Sequence, residues 1–184
     1  MIVGVHGPLN GGKDTVATLI QEIYPGKFNR YAFAKPIKEA CQIMFGFSSY
    51  QIEDRVMKEE IDPFWGFSPR KAMQLLGTEY GRDMLRKDVW IQRARLEVGI
   101  NQKKNLHTII TDVRFENEAE WVRSENAILI RLEVPNLIRD EKYSHASEAG
   151  ITKACEDLNI VNNKSLGLGN LKLNLYNTLS SYTF

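Results

Sequence analysis

Short apolar runs alternate with amphipathic stretches along the whole chain. The apolar runs, each four to eight residues long, lie at Ile2–His6 and at residues 28–34, 107–111, 127–134 and 157–161. Apolar residues recur at helical spacing after residue 13, from Pro36, from Pro69, and over residues 115–125 and 168–179. Strands that alternate with helices indicate right-handed crossover connections. We therefore predict an α/β fold, a mostly parallel sheet with helices on its faces.

Length and charge restrict the function classes. The chain has 184 residues, which fits a single domain over residues 1–184. Its 24 Lys and Arg nearly balance 23 Asp and Glu, so we expect no stable nucleic-acid binding. Since no apolar run approaches the roughly 20 residues of a membrane span, we expect no membrane association and a cytoplasmic location. Cys41 and Cys155 lie outside any CxxC pattern, which argues against a disulfide framework and a zinc site.

A glycine-rich turn follows the first predicted strand. Residues 7–13, GPLNGGK, fit GxxxxGK and stand directly before the first predicted helix. Such a turn points backbone N–H groups at phosphate oxygens, while its lysine reaches the β- and γ-phosphates of a nucleotide such as ATP. The predicted ATP-binding residues are Gly7, Asn10, Gly11, Gly12, Lys13, Asp14 and Thr15. The alternative is a glycine-rich turn with a surface lysine.

Two segments contain candidate ligands for Mg²⁺, the turn after Lys13 and the end of the strand at residues 107–111. Asp14 occupies the place after the lysine where Ser or Thr normally contacts the metal, and Thr15 follows it. The strand at residues 107–111 ends in Asp112, the layout of a Walker B segment. We predict Thr15 and Asp112 as metal-binding residues, acting directly or through water. A plain helix cap is the other interpretation of Asp112.

The helix that starts at Ser68–Pro69 has two different faces. Its predicted core face is apolar and contains Ala72, Leu75, Leu76 and Tyr80. Its polar face contains Arg70, Gln74 and Thr78, together with Gly77 and Gly81. Two glycines on one stripe indicate that something approaches the backbone closely, either a ligand or another helix. If it is a ligand, Arg70 could hold a monophosphate and Gln74 a base edge.

Two more arginines are candidates for phosphate contact. Arg114 follows Asp112 closely and could bind a phosphate between donor and acceptor. Residues 135–149 form a polar stretch between predicted strands, which we interpret as a lid-like loop that brings Arg139 to the charge of phosphoryl transfer. Ser147 and Glu148 in that stretch could equally cap a helical turn. We therefore predict Lys13, Arg114 and Arg139 as catalytic residues.

Several blocks together resemble the deoxynucleoside monophosphate kinases of tailed bacteriophages. The blocks are GPLNGGKDTVA, FAKPIKEA, SPRKAMQLLGTEYGRDMLRKDVW, TDVRFENEAEWVR and HASE, in order from near residue 1 to about residue 150. The resemblance implies a P-loop kinase fold, Mg²⁺-ATP as donor, a deoxynucleoside monophosphate as acceptor, and a homodimer in the host cytoplasm. It assigns Arg70, Gln74 and Arg114 to substrate binding, with Lys35 as a further phosphate contact. We add Thr78 to the substrate-binding residues and predict residues 35–95 as a helical acceptor-binding region.

Two other functions stay open at this point. A small-metabolite kinase similar to dephospho-coenzyme A kinase would have a similar phosphate loop, but it leaves GTEYGR without an explanation. A nucleotide-binding regulator would bind ATP without transferring phosphate to a small acceptor. Dependence of ADP release on an acceptor separates these alternatives.

Overall fold

The computed structural model describes residues 1–125, 127–135, 151, 152, 154 and 157–184. It divides the chain into two compact units. Unit 1 comprises Met1–Ala32 and Ala94–Phe184, and unit 2 comprises Phe33–Arg93. The boundaries of unit 2 nearly coincide with residues 35–95, for which acceptor binding stays a prediction.

Unit 1 is built on a five-stranded parallel sheet. Its strands are β1 (Ile2–His6), β2 (Phe28–Tyr31), β3 (His107–Ile110), β4 (Ile128–Glu133) and β5 (Leu158–Val161). They lie in the order β2-β3-β1-β4-β5, with Gly4 beside Ile110 on one side and Leu129 on the other. The predicted parallel α/β sheet is thus confirmed, and β1 occupies its centre. Ligand sites in such sheets lie at the carboxyl ends of the strands.

Helices cover the sheet of unit 1. They are α1 (Lys13–Ile23), α6 (Glu116–Ser124), α7 (Gly167–Leu179) and the part of α5 (Val89–Lys103) that begins at Ala94. The apolar face of α1 packs against the sheet and α7, so that Ile20 and Leu175 are fully buried. Burying one such aliphatic side chain stabilises the fold by about 1.5–3 kcal/mol.

Unit 2 is helical. It contains α2 (Ala34–Phe45), α3 (Ser49–Glu53) and α4 (Pro69–Gln74), which continues directly into a π-helical segment, Leu75–Leu85. Ile37, Cys41 and Ala72 form part of its core. Cys41 is a free thiol, and burial raises its pKa to about 11, as expected of a core cysteine and not of a reactive one.

The π-helical winding overturns the predicted faces of the helix that starts at Ser68–Pro69. Ser68 caps it and Pro69 occupies its first turn, as predicted. Beyond Gln74, however, the bonding pattern changes from i→i+4 to i→i+5, so α-helical spacing no longer tells which side chains share a face. Leu75 and Tyr80, expected in the core, are 43% and 48% exposed, whereas both glycines of the supposed polar face are buried.

The remaining elements match the apolar runs closely. Each strand ends within a few residues of its predicted boundary, except that the run 28–34 stops at Tyr31 because Ala34 already begins α2. The lid-like interpretation of residues 135–149 and the role of Arg139 lie outside the described residues, apart from residue 135. In the part of the chain that is described, no helix is both long and apolar enough to cross a bilayer.

Candidate active site

The glycine-rich turn lies between β1 and α1, at the carboxyl end of the central strand. Its backbone uses two left-handed residues, Asn10 at φ 60° and Gly12 at φ 96°. Gly7 packs against β4, because a Cβ there would lie 2.9 Å from Leu132 Cβ. Gly11 N–H donates to Pro8 O over 3.0 Å and closes the turn. The motif therefore forms a closed turn between β1 and α1, and phosphate binding by this turn stays a prediction.

Lys13 opens α1 and turns back over this loop. Its Nζ donates to Gly7 O at 2.9 Å and to Pro8 O at 2.8 Å. These bonds hold the ammonium group above the backbone of the turn instead of letting it extend into solvent. Charge-assisted hydrogen bonds of this kind position a cation where phosphates are expected.

The two residues after Lys13 differ in what they contact. The Asp14 carboxylate is 83% exposed and pairs with Arg30, with 2.8 Å between Oδ1 and Nη2. Thr15 is half-buried in the first turn of α1, and its Cβ and Oγ1 lie 3.9 Å from a Cβ built on Gly12. Asp14 and Thr15 are the two candidates for a metal contact from this loop, and the Asp14 carboxylate is already paired with Arg30.

The carboxyl end of β5 supports the loop. Asn162 is 7% exposed, and its Nδ2 donates to Gly11 O at 2.8 Å. Its own backbone N–H donates to Glu133 O at 2.8 Å, which fixes Asn162 to the end of β4. Lys164 adds a second bond, from Nζ to Asn10 O at 3.2 Å. Two loop carbonyls therefore accept hydrogen bonds from residues that follow the last strand.

Asp112 and Arg114 lie just after β3, the neighbour of β1. Glu118 of α6 is buried, and its Oε2 accepts hydrogen bonds from the backbone N–H groups of Arg114 and Phe115 at 2.8 and 3.0 Å. Val113 between them accepts a bond from His6 Nδ1 at 2.9 Å. The segment with both predicted residues is therefore fixed by α6 and by the end of β1.

His6 joins this segment to the phosphate loop. Because a carbonyl oxygen only accepts, the bond to Val113 places a proton on His6 Nδ1. Burial lowers the pKa of His6 below its ordinary value, and the charges of Arg131 and Lys13 lower it further against the opposing effects of Val113 and Asp157. His6 is consequently neutral at physiological pH.

An ion network lies beside β5 in unit 1. The Asp157 carboxylate is fully buried and accepts from Arg123 Nε at 2.9 Å and Nη2 at 2.8 Å, while Arg131 Nη1 lies 3.7 Å from it. Burial raises the pKa of Asp157, but Arg123 and the Ala154 N–H outweigh burial and hold it below 3.8. Arg123 Nη2 also donates to Thr152 O at 2.9 Å, so the network fixes the backbone that follows residues 136–150.

In unit 2, Arg70 is a partly buried ion-pair partner. Its Nε donates to Glu59 Oε1, its side chain is 18% exposed, and its backbone N–H donates to Lys58 O at 2.8 Å. Gln74 and Thr78 are half-buried on the same helix, and Lys35 is exposed at the start of α2. The predicted substrate-binding residues of unit 2 therefore include one arginine that is already held in place.

The two glycines of the helix pack against protein. A Cβ on Gly77 would lie 2.9 Å from Ile37 Cδ1, and one on Gly81 would lie 2.7 Å from Trp90 Cζ2. Trp90 also donates from Nε1 to Gly77 O at 2.7 Å. Close approach of a helix, and not of a ligand, therefore explains the glycines.

Comparison with known proteins decides the family. The model of the deoxynucleotide monophosphate kinase family matches residues 42–172, more than half of the chain. The chain belongs to this family. A deoxynucleoside-5′-monophosphate kinase of Escherichia phage T5 is 30% identical over 96% of this chain and 95% of its own length. A protein of Acanthamoeba polyphaga mimivirus is 33% identical over 90% of this chain and 90% of its own length. The name of that protein assigns it provisionally to the deoxynucleotide monophosphate kinases.

Solved structures of other kinases also align with this family member. Dephospho-CoA kinase from Campylobacter jejuni is 11% identical over 98% of this chain and 96% of its own, with a TM-score of 0.46. Shikimate kinase from Aquifex aeolicus is 16% identical over 98% and 83%, with a TM-score of 0.32. With scores this low, the fold assignment depends on the strand order and on the glycine-rich turn after β1 themselves.

Three residues of this deoxynucleotide monophosphate kinase family member were not singled out from the sequence. Glu118 lies in the DVRFENEA block, so its spacing from Arg114 was a usable signal. Asn162 lies 151 residues from Gly11, its partner in the loop, and no local pattern connects them. Glu59 belongs to a stretch without periodicity, and only the fold brings it to Arg70.

Proposed function

We propose that this chain transfers the γ-phosphoryl group of ATP to a deoxynucleoside 5′-monophosphate, giving ADP and a deoxynucleoside diphosphate. The observation that carries the proposal is the GxxxxGK turn at the centre of the sheet, with Lys13 bonded to Gly7 O and Pro8 O above it. Family membership supplies the acceptor class, since the phage T5 relative is named for that activity. The product would serve as a precursor for DNA synthesis.

The donor nucleotide is assigned to unit 1. Backbone N–H groups of the turn and of the first turn of α1 would bind the β- and γ-phosphates, and Lys13 would neutralise their charge. The set comprises Gly7, Asn10, Gly11, Gly12, Lys13, Asp14 and Thr15. Arg114, fixed by Glu118, would contact the transferred group. Because the acceptor phosphate is already an anionic nucleophile, positioning and charge stabilisation supply most of the catalysis and no strong base is required.

Mg²⁺ fits the donor set of unit 1. Thr15 offers a hydroxyl and Asp112 a carboxylate, both hard oxygen ligands of the kind that Mg²⁺ takes together with phosphates and water. The ion pair of Asp14 with Arg30 favours Thr15 as the ligand from the loop. Bound there, the metal would supply charge neutralisation on the phosphates.

The acceptor is assigned to unit 2. Arg70 would bind its monophosphate, with Glu59 restricting the guanidinium to one orientation. Gln74 and Thr78, half-buried on the same helix, would contact the nucleoside, and Lys35 would add a phosphate contact. Arg139 in the lid-like stretch 135–149 would reach the transferred phosphoryl group.

Three broader expectations accompany the activity. The protein acts as a homodimer, works in the cytoplasm of a host cell, and forms no stable complex with nucleic acid. Its nearly balanced charge supports the last of these. Light scattering of the purified protein, with and without added duplex DNA, tests the first and the last.

The deciding experiment is a coupled assay of ADP release with Mg²⁺-ATP. It compares dAMP, dGMP, dCMP and dTMP with their ribose forms and with dephospho-coenzyme A as acceptors. We expect release that depends on a deoxynucleoside monophosphate and is weaker with the ribose forms. Release with dephospho-coenzyme A alone would identify the small-metabolite kinase, whereas ATP binding without acceptor-dependent release would identify the regulator.

A further inference from the structure

Asn162 contacts the phosphate loop from the far end of the chain. Its side-chain amide is buried and donates to Gly11 O at 2.8 Å, and a Cβ on Gly12 would lie 2.8 Å from the same Nδ2 atom. The amide therefore packs directly against the peptide that joins Gly11 to Gly12. That peptide enters α1, where Gly12 occupies the N-cap position.

The hydrogen bond fixes the orientation of this peptide. In a trans peptide the C=O and the next N–H point in opposite directions. When Asn162 holds Gly11 O, the N–H of Gly12 must point away from Asn162. A phosphate loop works through backbone N–H groups that face the phosphates, so a bond that fixes one carbonyl outward also fixes one donor inward.

Gly12 cannot easily hold this orientation alone. Glycine accepts many backbone conformations at similar free energy, and Gly12 has a φ of 96°. The peptide before Gly12 can therefore rotate at small cost in free energy. Asn162, by contrast, is fixed, because its backbone N–H donates to Glu133 O at 2.8 Å. The rigid edge of the sheet is thereby connected to a flexible point of the loop.

We propose that Asn162 is a positioning residue for ATP, whose side-chain amide sets the Gly11–Gly12 peptide so that the Gly12 N–H faces the phosphates. The proposal rests on the proposed function, because it assumes that the loop binds the donor nucleotide. It assigns to residues after β5 a role in the donor site, independent of the acceptor residues of unit 2.

The test compares Asn162→Asp and Asn162→Ala with Asn159→Ala. Asn159 is an exposed asparagine of β5 that lies three residues earlier and outside the loop contacts, so it is a matched control. For each protein, KM for ATP, KM for the deoxynucleoside monophosphate and kcat are measured from about pH 6 to about pH 8, across the range in which a buried carboxyl group titrates. Urea unfolding shows whether each variant is folded.

Asn162→Asp is nearly isosteric but replaces a donor by a carboxylate opposite a carbonyl oxygen. We expect its KM for ATP to rise about tenfold or more at pH 8, as for loss of one buried bond with added repulsion. KM for the acceptor should change less than about twofold. At the acid end a protonated carboxyl group donates to Gly11 O again, so KM for ATP should return toward that of the unchanged protein. Asn162→Ala should raise KM for ATP without this pH dependence, and Asn159→Ala should change none of these quantities.

The proposal is overturned if both Asn162 variants keep the KM for ATP of the unchanged protein. It is also overturned if KM for ATP and KM for the deoxynucleoside monophosphate rise by the same factor. If Asn162→Asp does not fold, Asn162→Ala decides by the same split between the two KM values. Failure of the proposed function looks different, since the unchanged protein itself would then release no ADP on addition of an acceptor. Calorimetric titration with ATP in that case still compares the three variants.

Discussion

Replacing Gly81 by alanine tests the packing that holds unit 2 together. The new Cβ would lie 2.7 Å from Trp90 Cζ2 and 2.9 Å from the backbone oxygen of Leu76, closer than such atoms normally approach. Overpacking of this kind costs about 1–3 kcal/mol. Removing glycine from a helix interior returns about 1 kcal/mol. We therefore expect Gly81→Ala to lower the free energy of unfolding by about 1 kcal/mol, within a range of 0–2, the difference between these terms.

Gly99→Ala is the matched control. Gly99 lies inside α5, and nothing lies within 4 Å of a Cβ built there. The same substitution should stabilise the protein by about 0.5–1 kcal/mol, because only the helix term applies. Gly77→Ala should fall between the two, since its neighbour is the flexible end of Ile37 and not a ring or a backbone atom.

Urea unfolding followed by tryptophan fluorescence and circular dichroism measures the three free energies. Trp90 is itself in contact with Gly81, so its emission reports on the altered site. Equal stabilities for Gly81→Ala and Gly99→Ala would refute the packing argument. An unchanged stability of Gly81→Ala with a large rise in KM for the acceptor would instead restore the ligand interpretation of this helix face.

Three further outcomes are expected. Lys13→Ala should lower kcat by about 100-fold or more, since it removes the cation from the phosphate loop. Arg70→Ala should mainly raise KM for the acceptor. Equal small effects of the two substitutions in steady-state kinetics would contradict both assignments. Arg123→Ala should destabilise the protein by about 3 kcal/mol in urea unfolding, because it removes the closest cation from the buried Asp157 carboxylate and leaves the Ala154 N–H and the more distant Arg131; a loss under about 1 kcal/mol would contradict this. The pKa of Asp157 is lower in the folded protein than its ordinary 3.8, so the Asp157 carboxylate contributes stability that is present above pH 3.8 and lost as the pH falls below that value. Asp157→Asn should therefore flatten the acid limb of a curve of stability against pH. An unchanged acid limb would exclude that contribution.

The sheet and its phosphate loop were accessible from the sequence because their signals are local. The strands β1, β3 and β4 are runs rich in β-branched and other apolar residues, and the GxxxxGK turn stands between one such run and a helix. Ser68 and Pro69 likewise marked a helix start through short-range capping chemistry. Where one short segment contains both the pattern and its physical cause, the pattern suffices.

Other elements could not be predicted because their cause is not local. In α5 the buried residues Ala94, Val98 and Asn101 recur at helical spacing. Leu96 and Ile100, which are 66% and 45% exposed, place apolar side chains on other faces and obscure this stripe in the sequence. The π-helical winding after Gln74 changed which residues face the core, and its packing partner Trp90 comes only later in the chain. Asn162 meets Gly11 across 151 residues, a contact that only the strand order creates.

The strand order also sets when this protein can respond to a nucleotide during its synthesis. The phosphate loop leaves the ribosome before β4 and β5, whose ends support it. Contacts of such long sequence separation form late and slow the folding of a domain. A ligand stabilises only the state that binds it. A nucleotide bound at this loop would therefore stabilise the chain only after β4 and β5 have joined the sheet.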